Sequence, residues 1–256
     1  MKKDEIKEPK VDSTLSKGLL ILEVLTKSHK GKGVTELSRE LGLTKSNTFR
    51  LLQTLTTLGY VKNGPDKLYS ATLKTWQIGR LSLDNLNLRE LAAPEMDFLA
   101  KETGETIYLA VPESFAVVYI DKIDSSKPIR TWNPIGGTAP LHCVGTGKAI
   151  LAVNYSDLRE GITDRLDSFT DKTITDMKAL DENIELTLKN SYAYDTGEFR
   201  ENILSFGAAI TMPDGKAIAA LGISVPDFNF NDGDEKRLGS LVAHAAESVT
   251  RKLSRS

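Results

Sequence analysis

The chain has 256 residues, 40% of them hydrophobic, with 33 Lys+Arg against 35 Asp+Glu and a formal net charge of −2. This is enough to bury a substantial core, and it suggests one small and one mid-sized domain. No run approaches the ~20 apolar residues of a membrane span, the charged start MKKDEIKEPK has no apolar stretch, and the single cysteine, Cys143, excludes an intrachain disulfide and fits a reducing cytoplasm.

Charge is unevenly spread. Residues 1–83 hold 15 Lys+Arg and 8 Asp+Glu, a net +7, so the remainder carries −9. A basic head on an acidic body points the head toward a polyanion and argues against a second nucleic-acid surface.

In chain order, Leu15, Leu19, Leu22 and Leu25 mark a first amphipathic helix. VTELSREL follows, with Val34, Leu37 and Leu41 at helical spacing and Gly42 where a left-handed cap is needed. Thr44 offers an N-cap hydroxyl to a further helix, whose Leu51, Leu52, Leu55 and Leu58 form the expected buried stripe. Opposite that stripe stand Lys45, Ser46, Asn47, Arg50, Gln53 and Thr54, with no acidic residue among them; with Thr48 they make the candidate DNA-contact set. Tyr60–Lys62 and Leu68–Ser70, separated by the turn sequence Asn63-Gly64-Pro65-Asp66, predict a hairpin wing whose Lys62 and Lys67 are candidate phosphate partners. The pattern is a winged helix-turn-helix, although a plain helical hairpin explains the leucines equally well.

Leu73, Trp76, Ile78 and Leu81 suggest a connecting helix, and Pro94 is expected in the first turn of another helix that ends at Gly104. Strands are then expected at Thr106–Val111, Ala116–Ile123 and Ile129–Trp132, the first two joined by Pro112-Glu113-Ser114. A helix near Gly147 and another over Thr175–Asn190 follow. Two more strands, Ser205–Met212 and Ala217–Val225, flank the turn Pro213-Asp214-Gly215-Lys216, and Asp232–Leu253 closes the chain as a helix. Hairpins predominate, so the body reads as α+β on an antiparallel sheet. The histidines stand at 29, 142 and 244, without metal-ligand spacing, and no cofactor is expected.

Four segments in register, VTELSRELGLTKSNTFRLLQTLTTLGYV, TGET at 103–106, GGTAPLHCVGTGKAILA at 136–152 and GKAIAALGISVP at 215–226, resemble the IclR family of bacterial transcriptional regulators. The likeness extends over nearly the whole chain from Val11. It implies a winged helix-turn-helix over 11–72 behind a flexible tail 1–10, a dimerising linker helix over 73–88, and a GAF-like (profilin-like) α+β effector-binding domain over 89–256. It also implies a homodimer or homotetramer on a palindromic double-stranded operator, and a small organic-acid effector.

Gly145-Thr146-Gly147 opens a helix, so its N–H groups and dipole suit a carboxylate. The family pattern adds Asp195, Ser205 and Ser224 to the pocket, with Thr131, Trp132, Asn133 and His142 expected to complete the wall. Departures from that pattern include Ser205 where cysteine is frequent and Gly222 where serine is frequent. Other readings remain: Asp195 as a turn cap, Ser205 and Ser224 as core hydroxyls, His142 as a structural histidine. GTGK fails the nucleotide-loop pattern at His142 and Ala149. A His142, Asp195 and Ser205 triad lacks a Gly-x-Ser-x-Gly elbow, so binding without turnover is expected, with repression favoured over activation.

Overall fold

The computed structural model describes residues 12–28, 30–78, 88–128, 131 and 133–254. The chain divides into two compact units, Met1–Asn85 and Leu86–Ser256. The proposed tail, most of the proposed linker, Trp132 and most of the strand expected at 129–132 lie outside the described residues.

In the first unit, α1 (Ser13–Lys27) begins at Asp12, whose carboxylate accepts from the N–H groups of Thr14 and Leu15 at 3.0 and 2.8 Å. Its buried face is Ile21, Leu22 and Leu25, whereas Leu15 and Leu19, expected on that face, are exposed. α2 (Val34–Glu40) ends before Gly42, whose φ of +64° fits the left-handed cap. α3 (Lys45–Thr57) is capped by Thr44 Oγ1, which accepts from Asn47 N–H at 3.3 Å. Leu51 and Leu52 enter the core; Leu58, expected there, lies just past the helix end and is exposed. β1 (Val61–Asn63) and β2 (Tyr69–Ala71) pair antiparallel as the wing, with Lys62 opposite Ser70. Lys32 adds a bridge to Tyr69. One core joins these elements through Ile21, Leu25, Leu37, Leu52, Val61 and Tyr69.

The second unit opens with α4 (Leu88–Thr103), and Pro94 lies inside it rather than in its first turn. Proline removes one backbone donor, yet Leu88, Ala92, Met96 and Leu99 are all buried at helical spacing, and that packing carries the helix through the break. A six-stranded antiparallel sheet follows, in the order β5-β4-β3-β8-β7-β6. Its strands are β3 (Thr106–Glu113), β4 (Ala116–Ile123), β5 (Thr138–Pro140), β6 (Ala193–Asp195), β7 (Ile203–Thr211) and β8 (Ala217–Pro226). Pro112 and Glu113, expected in a turn, belong to β3; the reversal falls at Ser114, with φ +57°. Thr131 is not in a strand, and the short β5, which the expected strands omit, borders β4 instead.

α5 (Gly145–Val153), α6 (Tyr155–Ile162) and α7 (Met177–Asn190) share a core with Tyr108, Ala110, Val117 and Tyr119 of the sheet. α8 (Asp234–Leu253) packs on α4, β7 and β8. Covered by helices in this way, β8 is buried over almost its whole length, which is why it reads AIAALGISVP with no charged residue.

Candidate functional sites

On the first unit, Lys45, Ser46, Arg50, Gln53 and Thr54 are exposed on α3, and Arg50 donates to Asn47 Oδ1 at 3.3 Å. Thr48 does not belong with them. It is fully buried, and its hydroxyl donates to Thr44 O at 3.1 Å, so it ties the first turn of the helix and cannot reach a base. Lys62 and Lys67 are exposed on the wing, and Lys67 holds a left-handed φ of +59° in the turn that Asp66 closes by accepting from Leu68 N–H at 3.1 Å.

In the other unit, sheet register assembles a polar row. Asp195 lies opposite Ser205, Ser205 opposite Ser224, and Ser224 opposite Thr106, across four adjacent strands. Two residues along each strand, hence on the same face, come Gly207, Gly222 and Tyr108, again side by side. The start of α5 rests directly on this face. A Cβ on Gly207 would lie 2.2 Å from Gly145 C, and one on Gly145 would lie 2.7 Å from Phe206 C, so both positions require glycine for the helix to sit so close.

The result is a narrow cleft with about 30 Å³ of free space, room for about one water as it stands. Thr146, Asp195, Ser205 and Ser224 line it, as the sequence led us to expect, and Asn133 joins them. Tyr108, Tyr119 and Arg200 also line it and were missed. The two tyrosines stand on alternating core positions and look like ordinary packing residues in sequence; Arg200 lies in a loop with no periodicity to mark it.

Three expected members fall outside the lining. His142 is buried, and its Nε2–H donates to Asp167 O at 3.0 Å, a structural bond with no face toward the cleft; burial, opposed by that carbonyl, holds its pKa below the usual value. Thr131 is buried and is not part of the lining. Gly145 is the third correction. Its N–H does not face an open anion site but donates to Ser205 Oγ at 2.9 Å, and Ser205 in turn donates to Asp195 Oδ2 at 2.7 Å. The helix start is thus already linked to an anion of the protein's own.

Asp195 is both turn cap and cleft wall. Oδ1 accepts from the N–H groups of Gly197 and Glu198 at 2.9 and 2.6 Å, closing the turn that carries Phe199 and Arg200 into the lining. Burial raises its pKa despite those donors and nearby Lys148. Behind it, Lys148 is fully buried and donates to Tyr194 O at 2.6 Å and Glu198 Oε1 at 2.7 Å. Burial also raises Glu198, with Lys148 opposing it. From outside, a strap holds the same turn: Thr170 donates to Gly197 O at 2.8 Å, Thr173 to Glu198 O at 2.5 Å and Lys172 to Thr196 O at 3.0 Å. Burial pushes Tyr119 far above the ordinary phenol range, so it is a neutral donor. Thr146 Oγ1 is buried, and the group that acts on it is the Tyr119 hydroxyl, which stands outside ordinary hydrogen-bond geometry. The cleft thus presents hydroxyls, a carboxylate and a guanidinium to a small polar molecule, and His142 lies outside its lining.

A winged helix-turn-helix followed by an α+β unit with a polar cleft is the build of a ligand-responsive DNA-binding regulator. The comparisons agree. Residues 14–65 match the IclR helix-turn-helix domain and residues 80–251 the bacterial transcriptional regulator IclR C-terminal domain. The chain is 34% identical over 251 residues to the HTH-type transcriptional regulator KdgR of Escherichia coli (strain K12), covering 97% of this chain and 94% of that one. It is 30% identical to the transcriptional repressor IclR of the same organism, with coverage of 93% and 88%. The crystal structure of the Thermotoga maritima IclR superposes with a TM-score of 0.77 at 29% identity, covering 94% of this chain and 98% of that chain. An IclR homolog from Microbacterium hydrocarbonoxydans, complexed with 4-hydroxybenzoate, shares the fold with a TM-score of 0.81 at 21% identity, over 95% and 100% of the two chains. The chain belongs to the IclR family of bacterial transcriptional regulators.

Proposed function

We propose that this chain represses a metabolic operon in the cytoplasm, binding a palindromic operator as a homodimer or homotetramer, and that a small organic acid in the Thr146–Asp195 cleft alters its operator affinity. The observation that carries the effector half is the convergence on one cleft of the buried Thr146 hydroxyl, the neutral phenol of Tyr119 beside it and the guanidinium of Arg200. A carboxylate is favoured beside Arg200, because Asp195 on the floor repels a second anion. A hydroxyl of the ligand suits the acceptors of Asp195 and Ser205. The similarity to the transcriptional repressors IclR and AllR of Escherichia coli supports the direction of control.

The regulator then acts by shifting populations: the acid favours one arrangement of the body and so changes how two heads meet their half-sites. Coupling of this kind is worth about 1–3 kcal/mol and is reciprocal. The test uses the full chain, an operator selected from random duplexes and a panel of sugar acids, short 2-oxo acids and aromatic acids. An effector should change operator affinity, operator should change effector affinity by the same factor, and the acid should be recovered unchanged after long incubation. An acid at 100 times its Kd should also add about 2.7 kcal/mol to stability. If no acid moves either operator affinity or the unfolding midpoint, the carboxylate reading fails. Turnover of the acid would instead favour the enzymatic alternative.

A further inference from the structure

α3 displays one large apolar side chain among its exposed residues. Phe49 is 44% exposed, while the other exposed positions of this helix, including Lys45, Ser46, Arg50 and Gln53, are polar or charged. Phe49 stands between Lys45 and Gln53 in an i, i+4 row, in the N-terminal half of the helix, which in this docking mode approaches base edges. Its ring borders a shallow groove between α3 and the wing, whose other walls include Gln53, Asn63 and Tyr69. A phenyl ring left in water forgoes the stabilisation of burial, although the core beneath it is filled by Leu51 and Leu52.

The partner of this face is double-stranded DNA: the unit is a helix-turn-helix, and residues 1–83 carry a net +7. On the major-groove base edges the thymine C5-methyl is the apolar group, and phenylalanine is among the side chains that contact it. We propose that Phe49 reads a thymine methyl in each operator half-site, making it a specificity-determining residue beside the polar readers of α3. A second copy of the head is the competing cover for the ring, and charge decides against it: Lys45 and Arg50 beside Phe49 have no acidic counterpart among the exposed residues of α3, so a like face would repel.

The experiment replaces each thymine of a selected operator, one at a time, by deoxyuridine, which removes only the methyl group, and measures binding of the full-length protein. One thymine per half-site should lose roughly fourfold in affinity with the native protein, the value of one buried methyl group. Phe49→Ala should weaken the parent operator, show no further loss at that same thymine, and keep the native unfolding midpoint and salt dependence; Phe49→Leu should retain part of the discrimination. The proposal is overturned if no thymine couples to position 49, if Phe49→Ala weakens all duplexes equally, or if it changes the sedimentation mass while leaving thymine discrimination intact.

Discussion

The Cγ2 methyl of Thr146 lies 2.4 Å from the point a Cβ on Gly222 would occupy, so the two positions share one space across the cleft. Where the family resemblance leads one to look for a serine, this chain has no side chain, and the Thr146 methyl of α5 fills that space instead. Gly222→Ser alone should overpack the cleft and cost about 1–3 kcal/mol. Combined with Thr146→Ala it should recover most of that loss, because the methyl that blocks the serine is gone. Urea unfolding of the two single variants and the double variant measures the coupling directly; strictly additive effects would mean that the cleft relaxes freely.

Lys148 and Glu198 form an ion pair almost wholly out of water, with side chains 0% and 5% exposed. Removing one partner leaves the other charge buried, so Lys148→Met is expected to cost about 3–5 kcal/mol. Lys148→Met with Glu198→Leu should cost clearly less than Lys148→Met alone. Equal losses in both proteins would show that the ammonium acts chiefly by holding the Tyr194 carbonyl.

The pH dependence of stability carries a sign that distinguishes Asp195 from surface acids. Burial raises its native pKa above the ordinary 3.8, so between those values the folded protein holds a proton that the unfolded chain releases. Its contribution is therefore fully present below the unfolded pKa and is lost as pH rises through the raised native value. Asp181 behaves in the opposite way: held at about 2 by Arg159 and Tyr155, it stabilises above its unfolded pKa and loses that effect as pH falls. Asp195→Asn removes only the first dependence while keeping an acceptor for Gly197 and Glu198. The stability of the native protein minus that of the variant should fall as pH rises above the unfolded value and through the raised native one. A flat difference would place the native pKa of Asp195 at its ordinary value.

On α3, neighbouring positions should separate by readout. Arg50→Ala is expected to weaken specific operator binding by about 1–3 kcal/mol if the guanidinium reads a base, or to lower the salt slope by about one if it holds a phosphate. Thr48→Val should instead cost about 0.5–1.5 kcal/mol of stability, through the lost bond to Thr44, and leave the salt slope unchanged. Anisotropy titrations over a salt series, with unfolding curves on the same samples, check both. An Arg50→Ala protein with native affinity and slope would remove Arg50 from the interface.

Local chemistry made much of this molecule legible before any coordinates. Thr44 as a cap, Gly42 with positive φ, the hairpin after α3 and the alternating strands of the body depend on neighbours in the chain, and short-range rules capture them. The same rules failed where packing outweighed them. Pro94 has the mark of a helix start, but the buried row from Leu88 to Leu99 runs through it; Leu15 and Leu58 have helical spacing, but none of the described residues of the unit covers them.

The sequence by itself determined the class of protein, because a helix-turn-helix, its charge and four segments in register are properties of order and spacing along the chain. The cleft was decided by tertiary structure. Asp195, Ser205 and Ser224 became neighbours through the register of β6, β7 and β8, and Gly145 turned its N–H to Ser205 because Gly207 lets α5 rest on the sheet. Tyr108, Tyr119 and Arg200 entered the lining, and His142 and Thr48 left their expected sites, because where a side chain points depends on what packs against it from distant parts of the chain.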